Sequence, residues 1–521
     1  MGYIEGTSRD QVSFRTLDDM VGEQSMVRVI DRFIDVLDLE ALGFSRVMCA
    51  GTGRRGYSPD ILTKLYVYGY ENGIRSSRRL ERECRRNIEV MWLMGELVPD
   101  HTVIAEFRRL NIGPLQRLFS EFMRLCRSWG DMVGGELVAI DGTKIKASNN
   151  KKNNHSRKQV EKRLARLNEE INALVEEYLE GCEEADCAKD GGAEAPEGLL
   201  ELLERKELYG SYLAQMDASG ADEISTIDPD ARMMATNRGG VDTAYNMQST
   251  VDAKHHLIVD FDVITNPTDQ GQLDNMTERL DGQGYSGYTG LFDKGYYNGE
   301  CLRKAKERNV TAIVARQRPP RTKGRAEEFR TDGFDYDREV DAYTCPAGAT
   351  LPLHSKDDAV RKKYYNKGAC RSCAHVSSCC PADKRGYRVL SRGEYADIYD
   401  DTDRLFKENK ELYGMRMCLV EHPFGTIKRT MDGGYFLLRT LRKVRNEAAL
   451  LCLGYNLKRA YGALGFKDLM ARLDVHGDRH FSRPGRPNIS LLRRSRPIRA
   501  LLAVFCLFLA GPAYTELPAA A

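Results

Sequence analysis

Apolar and polar positions alternate with helical spacing from Val27 to Leu37, where Val27, Ile30, Phe33, Ile34 and Leu37 recur among Arg28, Asp31, Arg32 and Asp35. Ser58-Pro59-Asp60-Ile61-Leu62 then reads as a helix start, with Ser as cap and Pro in the first turn. A second helix is predicted from Gly73-Ile74-Arg75-Ser76-Ser77-Arg78-Arg79-Leu80-Glu81-Arg82 onward, and a third over Asp100 to Arg109. At Leu137-Val138-Ala139-Ile140 the pattern turns to a short β-branched run of the kind expected for a central strand, closed by Asp141-Gly142-Thr143-Lys144. From Val160 the apolar residues Val160, Leu164, Leu167, Ile171, Leu174 and Tyr178 fall alternately four and three apart, a heptad seam. A Gly/Ala/Glu-rich break over residues 190–196 and a second helical run from Leu199 to Met216 complete an antiparallel helical hairpin, expected to pack within the chain rather than to dimerise.

Beyond the hairpin, residues 244–251 and 257–264 read as two strands turning around Asp252 to His256, completing the sheet begun at Leu137. Thr289-Gly290-Leu291-Phe292 ends in Asp293, a helix is predicted from Asn298 to Arg308, and Val310 to Val314 follows as a strand. This strand, helix, strand unit predicts a parallel pair. Glu421 lies in a segment read as helical despite Pro423, with Arg416, Lys428 and Arg429 around it, and Leu441 to Arg459 reads as a long helix packed on the sheet. The tail from His476 is basic and Pro-rich, and its apolar run from Leu501 to Ala510 is shorter than the roughly 20 residues a bilayer span needs. It reads as a poorly structured arm touching phosphates, with a membrane-surface anchor as the lesser alternative.

The chemistry concentrates in three acids. Asp141 and Asp293 each close a strand, and a helical Glu421 can lean over both. Three carboxylates with no thiolate or imidazole among them suit Mg2+ or Mn2+, and two such ions form an in-line clamp for phosphodiester chemistry. Taken singly, an aspartate after a strand is a turn former or helix cap; the combination is what points to a site. Cysteine supplies a second candidate. Among fourteen cysteines, Cys345, Cys370, Cys373 and Cys379 cluster in a Lys-, Arg- and Tyr-rich stretch. Without an N-terminal secretory pattern this spacing reads as cytoplasmic and metal-binding, a structural Zn2+ site before a disulfide. Cys380 can replace Cys379, His375 can replace a thiolate, and free thiols in a loop are the alternative. Cys49, Cys84, Cys126, Cys301, Cys418, Cys452 and Cys506 read as small buried hydrophobes, and Cys182 and Cys187 suggest no site.

The texts Ala139-Ile140-Asp141-Gly142-Thr143-Lys144, Phe292-Asp293-Lys294-Gly295-Tyr296-Tyr297 and Val420-Glu421-His422-Pro423-Phe424-Gly425-Thr426-Ile427-Lys428-Arg429 resemble bacterial insertion-sequence transposases of the DDE class, in the branch with a Tyr-Arg-Glu-Lys signature. The resemblance implies an α/β fold: an RNase-H-like, retroviral-integrase-like catalytic core with an N-terminal all-helical DNA-binding domain, a helical-hairpin insertion and a Cys-rich insertion. It makes Asp141, Asp293 and Glu421 the catalytic metal ligands, and Tyr413, Arg416 and Lys428, with Arg429 beside them, contacts to DNA near the cut. Arg416 stands one residue further from Glu421 than is usual in that signature. The implied activity is metal-dependent cleavage at transposon ends and strand transfer of the 3′-hydroxyls into target DNA. The implied partners are terminal inverted repeats and target duplex, held by a homodimer in the bacterial nucleoid. Alternatives are a metal-dependent nuclease without strand transfer and a non-catalytic DNA-binding regulator.

The expected domains are a helical N-terminal part (1–130), the core in two pieces (131–155 with 217–320, and 401–475), the helical hairpin (156–216), the Cys-rich insertion (321–400) and the tail (476–521). Composition alters this little: 521 residues, 42% hydrophobic and 30% charged, describe an ordinary soluble protein. A net charge of +2 leaves DNA binding to local patches. The clearest is the arginine cluster Arg75, Arg78, Arg79 and Arg82. It fits a helix-turn-helix reader of DNA ends as well as it fits a solvated basic face, and the resemblance favours the reader.

Overall fold

The computed structural model describes residues 10, 12, 14–47, 56–184, 196–236, 240–316, 323–357, 361–381 and 385–481. Cys49, Cys187, Cys506, the hairpin break over 190–195 and the tail beyond Phe481 lie outside the described residues. The N-terminal part is helical: α1 (Met26–Asp35), α2 (Pro59–Glu71), α3 (Ser77–Arg86), α4 (Ile88–Met94), α5 (His101–Leu110) and α6 (Ile112–Ser128). Pro59 occupies the first turn of α2, as its fixed φ suits. The amphipathic stretch read from Val27 buries Val27, Ile30, Phe33 and Ile34 in α1.

Next comes a six-stranded mixed sheet of β1 (Leu137–Lys146), β2 (Arg232–Ala235), β3 (Val241–Asp252), β4 (Ile258–Ile264), β5 (Thr289–Phe292) and β6 (Thr311–Val314). Its order is β2-β3-β1-β5-β6, with β4 pairing β3 beside β2. β1, β3 and β4 run antiparallel in turn, while β5 and β6 lie parallel to β1. The strand, helix, strand unit is thus parallel as expected, its helix α9 (Gly299–Glu307) capped by the Asn298 side chain. One expectation needs correction: Asp141 does not end its strand. β1 runs five residues further to Lys146 because β3 keeps pairing with it as far as Ala244, so Asp141 faces Ser249 across a continuing ladder.

The helical hairpin forms from α7 (Arg157–Glu184) and α8 (Leu199–Ser219), which pack on each other. The seam residues Val160, Leu167 and Ile171 are buried. A second, wholly antiparallel sheet, β7 (Asp335–Asp337), β8 (Ala342–Thr344), β9 (Thr350–Asp357), β10 (Arg361–Tyr364) and β11 (Leu390–Arg392), builds the Cys-rich insertion around Phe334, Leu351, Tyr364 and Leu390. The chain then returns through α10 (Ala396–Glu408) and α11 (Lys410–Arg429) to α12 (Leu441–Phe481), which breaks at Gly465. α12 packs on β4 and also on α1, α2 and α6, so one hydrophobic core joins the N-terminal helices to the sheet. No described helix is long and apolar enough to cross a membrane.

Candidate active site

Parallel pairing sets the first two acids side by side. Ile140 stands opposite Phe292 in the β1–β5 register, so Asp141 and Asp293 follow at the same level. α11 crosses above them, packed on β1, β3 and β5 through Leu419, Val420, Pro423, Phe424 and Ile427. From this helix Arg416 reaches both acids, 3.1 Å from Asp141 and 3.5 Å from Asp293. Its ring-side neighbour is Tyr413, half-buried and edge-on to Phe406. Burial pushes the Asp141 carboxyl up to about 6 against the opposing pull of Arg416, with Asp293 and Asp269 adding to the rise.

Glu421 stands differently. It is in the helix, as read, but exposed, with no side-chain hydrogen bond or ion pair to the described residues. Among the described residues, the group of three potential ligands whose atoms all lie within 4.8 Å is not the triad but Glu81, Asp100 and His101. That group is a helix-cap cluster: Asp100 caps α5 through Thr102 N at 2.7 Å, and Glu81 accepts from His101 N and sits 3.0 Å from its Nδ1. Asp141, Asp293 and Glu421 are therefore on facing elements without being drawn together to chelating distance.

Lys428 is engaged inward. Its Nζ donates to Thr143 Oγ1 at 2.5 Å and to the Lys144 carbonyl at 3.3 Å, and burial pushes its pKa down. Arg429 is exposed beside it. Of the α3 arginines, Arg78, Arg79 and Arg82 face solvent, and Arg79 lies 4.0 Å from Asp432, just past α11. Arg75 needs correction: it is 1% exposed, bonded to Glu447 at 2.9 Å and to the Tyr435 carbonyl at 2.7 Å, so it ties the bundle to the core rather than facing DNA.

Beneath the aspartates lies a polar network that sequence reading missed. Asp269 Oδ1 accepts from Asn246 Nδ2 at 2.8 Å, Gln248 Nε2 at 2.8 Å and Lys144 Nζ at 3.1 Å, while Tyr296 Oη donates to Gln248. Asn246, Gln248 and Tyr296 are fully buried. Asp269 follows no strand and carries no motif; only buried polar residues on β3, every second position from Asn246, hinted at it.

In the insertion, Cys345, Cys370, Cys373, Cys379 and Cys380 line one cavity of about 30 Å³ with Phe329, Phe334 and Leu351. Two sulfurs accept backbone N–H groups, Cys345 from Ala349 at 3.2 Å and Cys373 from His375 at 3.4 Å. The thiols are not within 4.8 Å of one another as a set of three. Cys84, Cys126, Cys301 and Cys452 are buried as expected; Cys418 is exposed on α11, because the apolar face of that helix runs through Leu419 and Val420 instead.

Comparison with known proteins adds two matches. Residues 15–110, which include α1 to α5, match the family model described as "Transposase domain (DUF772)". Residues 344–461, which include Tyr413, Arg416, Glu421 and Lys428 but not the two aspartates, match "Transposase DDE domain". No curated protein matches the chain. Among solved structures, a piggyBac transposase synaptic complex with hairpin DNA aligns over 91% of this chain and 89% of that one, at 10% identity and a TM-score of 0.24, too slight a likeness to bear on the fold. Two segments of the chain, one N-terminal and one towards the C-terminal end, are thus similar to transposase domains, the second of the DDE class.

Proposed function

We propose that the protein is a DDE transposase that cuts transposon ends and joins their 3′-hydroxyls to target DNA, acting as a homodimer on two ends in the bacterial cytoplasm at the nucleoid. The observation that carries the reading is the seating of Asp141 and Asp293 at one level of parallel strands under the helix that bears Glu421. The sheet order supports an RNase-H-like core: three antiparallel strands, β4-β3-β1, continued by two parallel ones, β5 and β6.

Asp141, Asp293 and Glu421 would hold two Mg2+ or Mn2+ ions. The donor set fits such ions: all oxygen, with Asp141 desolvated and a guanidinium now lying across both aspartates as a stand-in cation. Bound there, the ions supply Lewis-acid activation of the attacking hydroxyl and charge stabilisation on the leaving oxygen. The protein's own part is placement. Arg416, released from the aspartates, and Arg429 grip the phosphates flanking the cut, Lys428 holds β1 and the end of α11 in register, and Tyr413 braces Arg416. In cutting, water attacks phosphorus and a 3′-hydroxyl leaves; in joining, that hydroxyl attacks a target phosphodiester and displaces another. Glu421 must swing toward the aspartates to complete the site, and Arg78, Arg79 and Arg82 would hold the duplex.

For the insertion we read a structural Zn2+ held by Cys345, Cys370, Cys373 and Cys379. It is supported by their shared cavity and by N–H groups aimed at two sulfurs, with Cys380 as the alternative fourth ligand. Metal analysis should find one zinc per chain, and Cys370→Ser should remove it and lower the melting temperature. Absence of zinc with unchanged stability in the variant refutes this part alone.

The catalytic reading is tested by cleavage and joining of a labelled duplex carrying the element's terminal repeats, in Mg2+ or EDTA, for wild type, Asp293→Asn and Glu421→Gln. Metal-dependent nicking with joined product, lost in both variants, is expected. Nicking without joining identifies a nuclease; binding without cleavage in any metal identifies a regulator.

A further inference from the structure

We propose that the Cys-rich insertion carries a stacking platform for an unpaired DNA base, built from rings beside the bulge of β9 and distinct in its residues from the carboxylate site. The bulge of β9, the end of β10 and the approach to β11 meet there. The register of β9 shifts between Leu353 and Ser355, a bulge that re-aims the intervening His354. Its exposed ring stacks on Tyr365, just past β10, with centroids 3.9 Å apart and planes 20° from parallel. Tyr365 Oη is hydrogen-bonded to His354 Nδ1 at 2.5 Å, which fixes both rings. Tyr387, before β11, continues the row at 5.3 Å from Tyr365. Both tyrosines remain partly exposed.

Cations frame the row. Lys367 Nζ lies 5.4 Å from the Tyr365 ring and 5.6 Å from the Tyr387 ring, and the Arg385 guanidinium lies 5.7 Å from Tyr387. The surrounding sequence is the most one-sided in charge that the insertion offers: residues 361–392 hold nine Lys or Arg against one acid, in a chain whose net charge is only +2. Several of the nine also serve the fold: Arg392 pairs with Asp397 and Asp400, Lys362 with Asp341, and Arg388 donates to Thr331 and lies over Phe334. A hydrophobic patch would not be ringed by ammonium and guanidinium groups. An acidic peptide would not need a row of pre-stacked rings. Aromatic faces for bases with flanking cations for phosphates are what single strands require, and stacking is open to every base because each has a π-face. In a duplex the bases are already stacked on each other, so the platform fits a strand whose end has been opened or cut. The inference extends the proposed reaction but does not depend on it, since a protein without cleavage would still bind a single strand here.

The test is binding of a fluorescein-labelled ten-nucleotide oligothymidine and of a matched duplex to the full-length protein in EDTA, followed by anisotropy across a salt series. Tyr365→Ala and Tyr387→Ala should each weaken single-strand binding about tenfold, while Tyr365→Phe retains most of it, and duplex binding should change little. Lys367→Gln should lower the salt slope by about one. Should the alanine variants melt early, Lys367→Glu with Arg385→Glu replaces them, both side chains being at the surface, and at least a tenfold loss is again expected. Wild-type affinity in folded variants overturns the proposal, and so does a loss equal on duplex and single strand. Failure of cleavage in the Asp293→Asn protein leaves this result unaffected, so the two readings fail separately.

Discussion

Gly142 illustrates how little space separates the catalytic candidates from the network below them. A Cβ at this position would come 2.7 Å from Asp269 Oδ1 and into contact with Gln248 Nε2 and Asn246 Oδ1. The Asp-Gly pair therefore has a packing origin: glycine lets a buried amide and carboxylate cluster press against β1 directly beside Asp141. Gly142→Ala is expected to leave the protein folded but to push the cluster off Asp141, lowering end cleavage roughly a hundredfold, the scale of a 1 Å misplacement. Asp269→Asn should lower it less than Gly142→Ala, since the amide keeps the volume while losing the charge that three donors share; steady cleavage rates for both variants, with melting curves as control, check this. At this scale the sequence was legible where an acid follows an apolar run, as at Asp141 and Asp293. It was silent at Asp269, which lies in the turn Asn266-Pro267-Thr268-Asp269 and gains its meaning only from strands folded beside it. Arg75 misled for the opposite reason: one of four clustered arginines, it turns inward to a glutamate 372 residues away, a pairing no local pattern announces.

Among elements, β1 was read four residues long because Gly142-Thr143-Lys144 resembles a turn; pairing with β3 overrides that local signal. The hairpin is legible because its heptad seam runs long enough to outweigh single residues, and the parallel unit because two short apolar runs flank a helical segment; the helix through Pro423 has no such long pattern of its own. The insertion was legible only as cysteines. Its sheet is made of strands as short as three residues, and much of its order comes from Asp341 in the turn between β7 and β8. Asp341, at φ 48°, accepts from Tyr336 Oη at 2.7 Å, Tyr364 Oη at 2.5 Å and Lys362 Nζ at 3.0 Å. These bonds, led by Tyr364, hold its carboxyl down at about 2, against roughly 3.9 in an unfolded chain. Because the folded value is the lower one, the stabilisation is present above about pH 4 and is lost as pH falls toward 2. Asp341→Asn, which tolerates the same backbone conformation, should lower the melting temperature at pH 7 and flatten its dependence between pH 4 and 2. Calorimetric melts of wild type and variant at pH 7, 4 and 2 check this.

Across the whole molecule, the two segments that match transposase domains share a core. Glu447 on α12, fully buried, accepts from Arg75 and from the backbone N–H groups of Leu437 and Leu438. Glu447→Ala leaves the buried Arg75 charge only Asp432 at 3.6 Å and the Tyr435 carbonyl, and should cost about 3 kcal/mol, whereas a matched apolar pair, Arg75→Met with Glu447→Leu, should cost less. Urea unfolding of the three proteins distinguishes the outcomes: equal losses would mean that Arg75 finds water on its own. Nothing in the local sequence predicts this closure, since it depends on which surface a late helix finds.

That same closure governs how the protein is born. α1, α2 and α6 leave the ribosome early, with Phe33, Tyr66, Tyr70 and Phe122 needing cover, yet the helix that seals them is the last one described. At ordinary elongation speeds of about 5–20 residues per second, the 372 residues between Arg75 and Glu447 take roughly 20 to 75 seconds to make. Through that interval the N-terminal helices lack the α12 surface that packs on them, so a chain ended before α12 is expected to be cut by proteases faster than the full one.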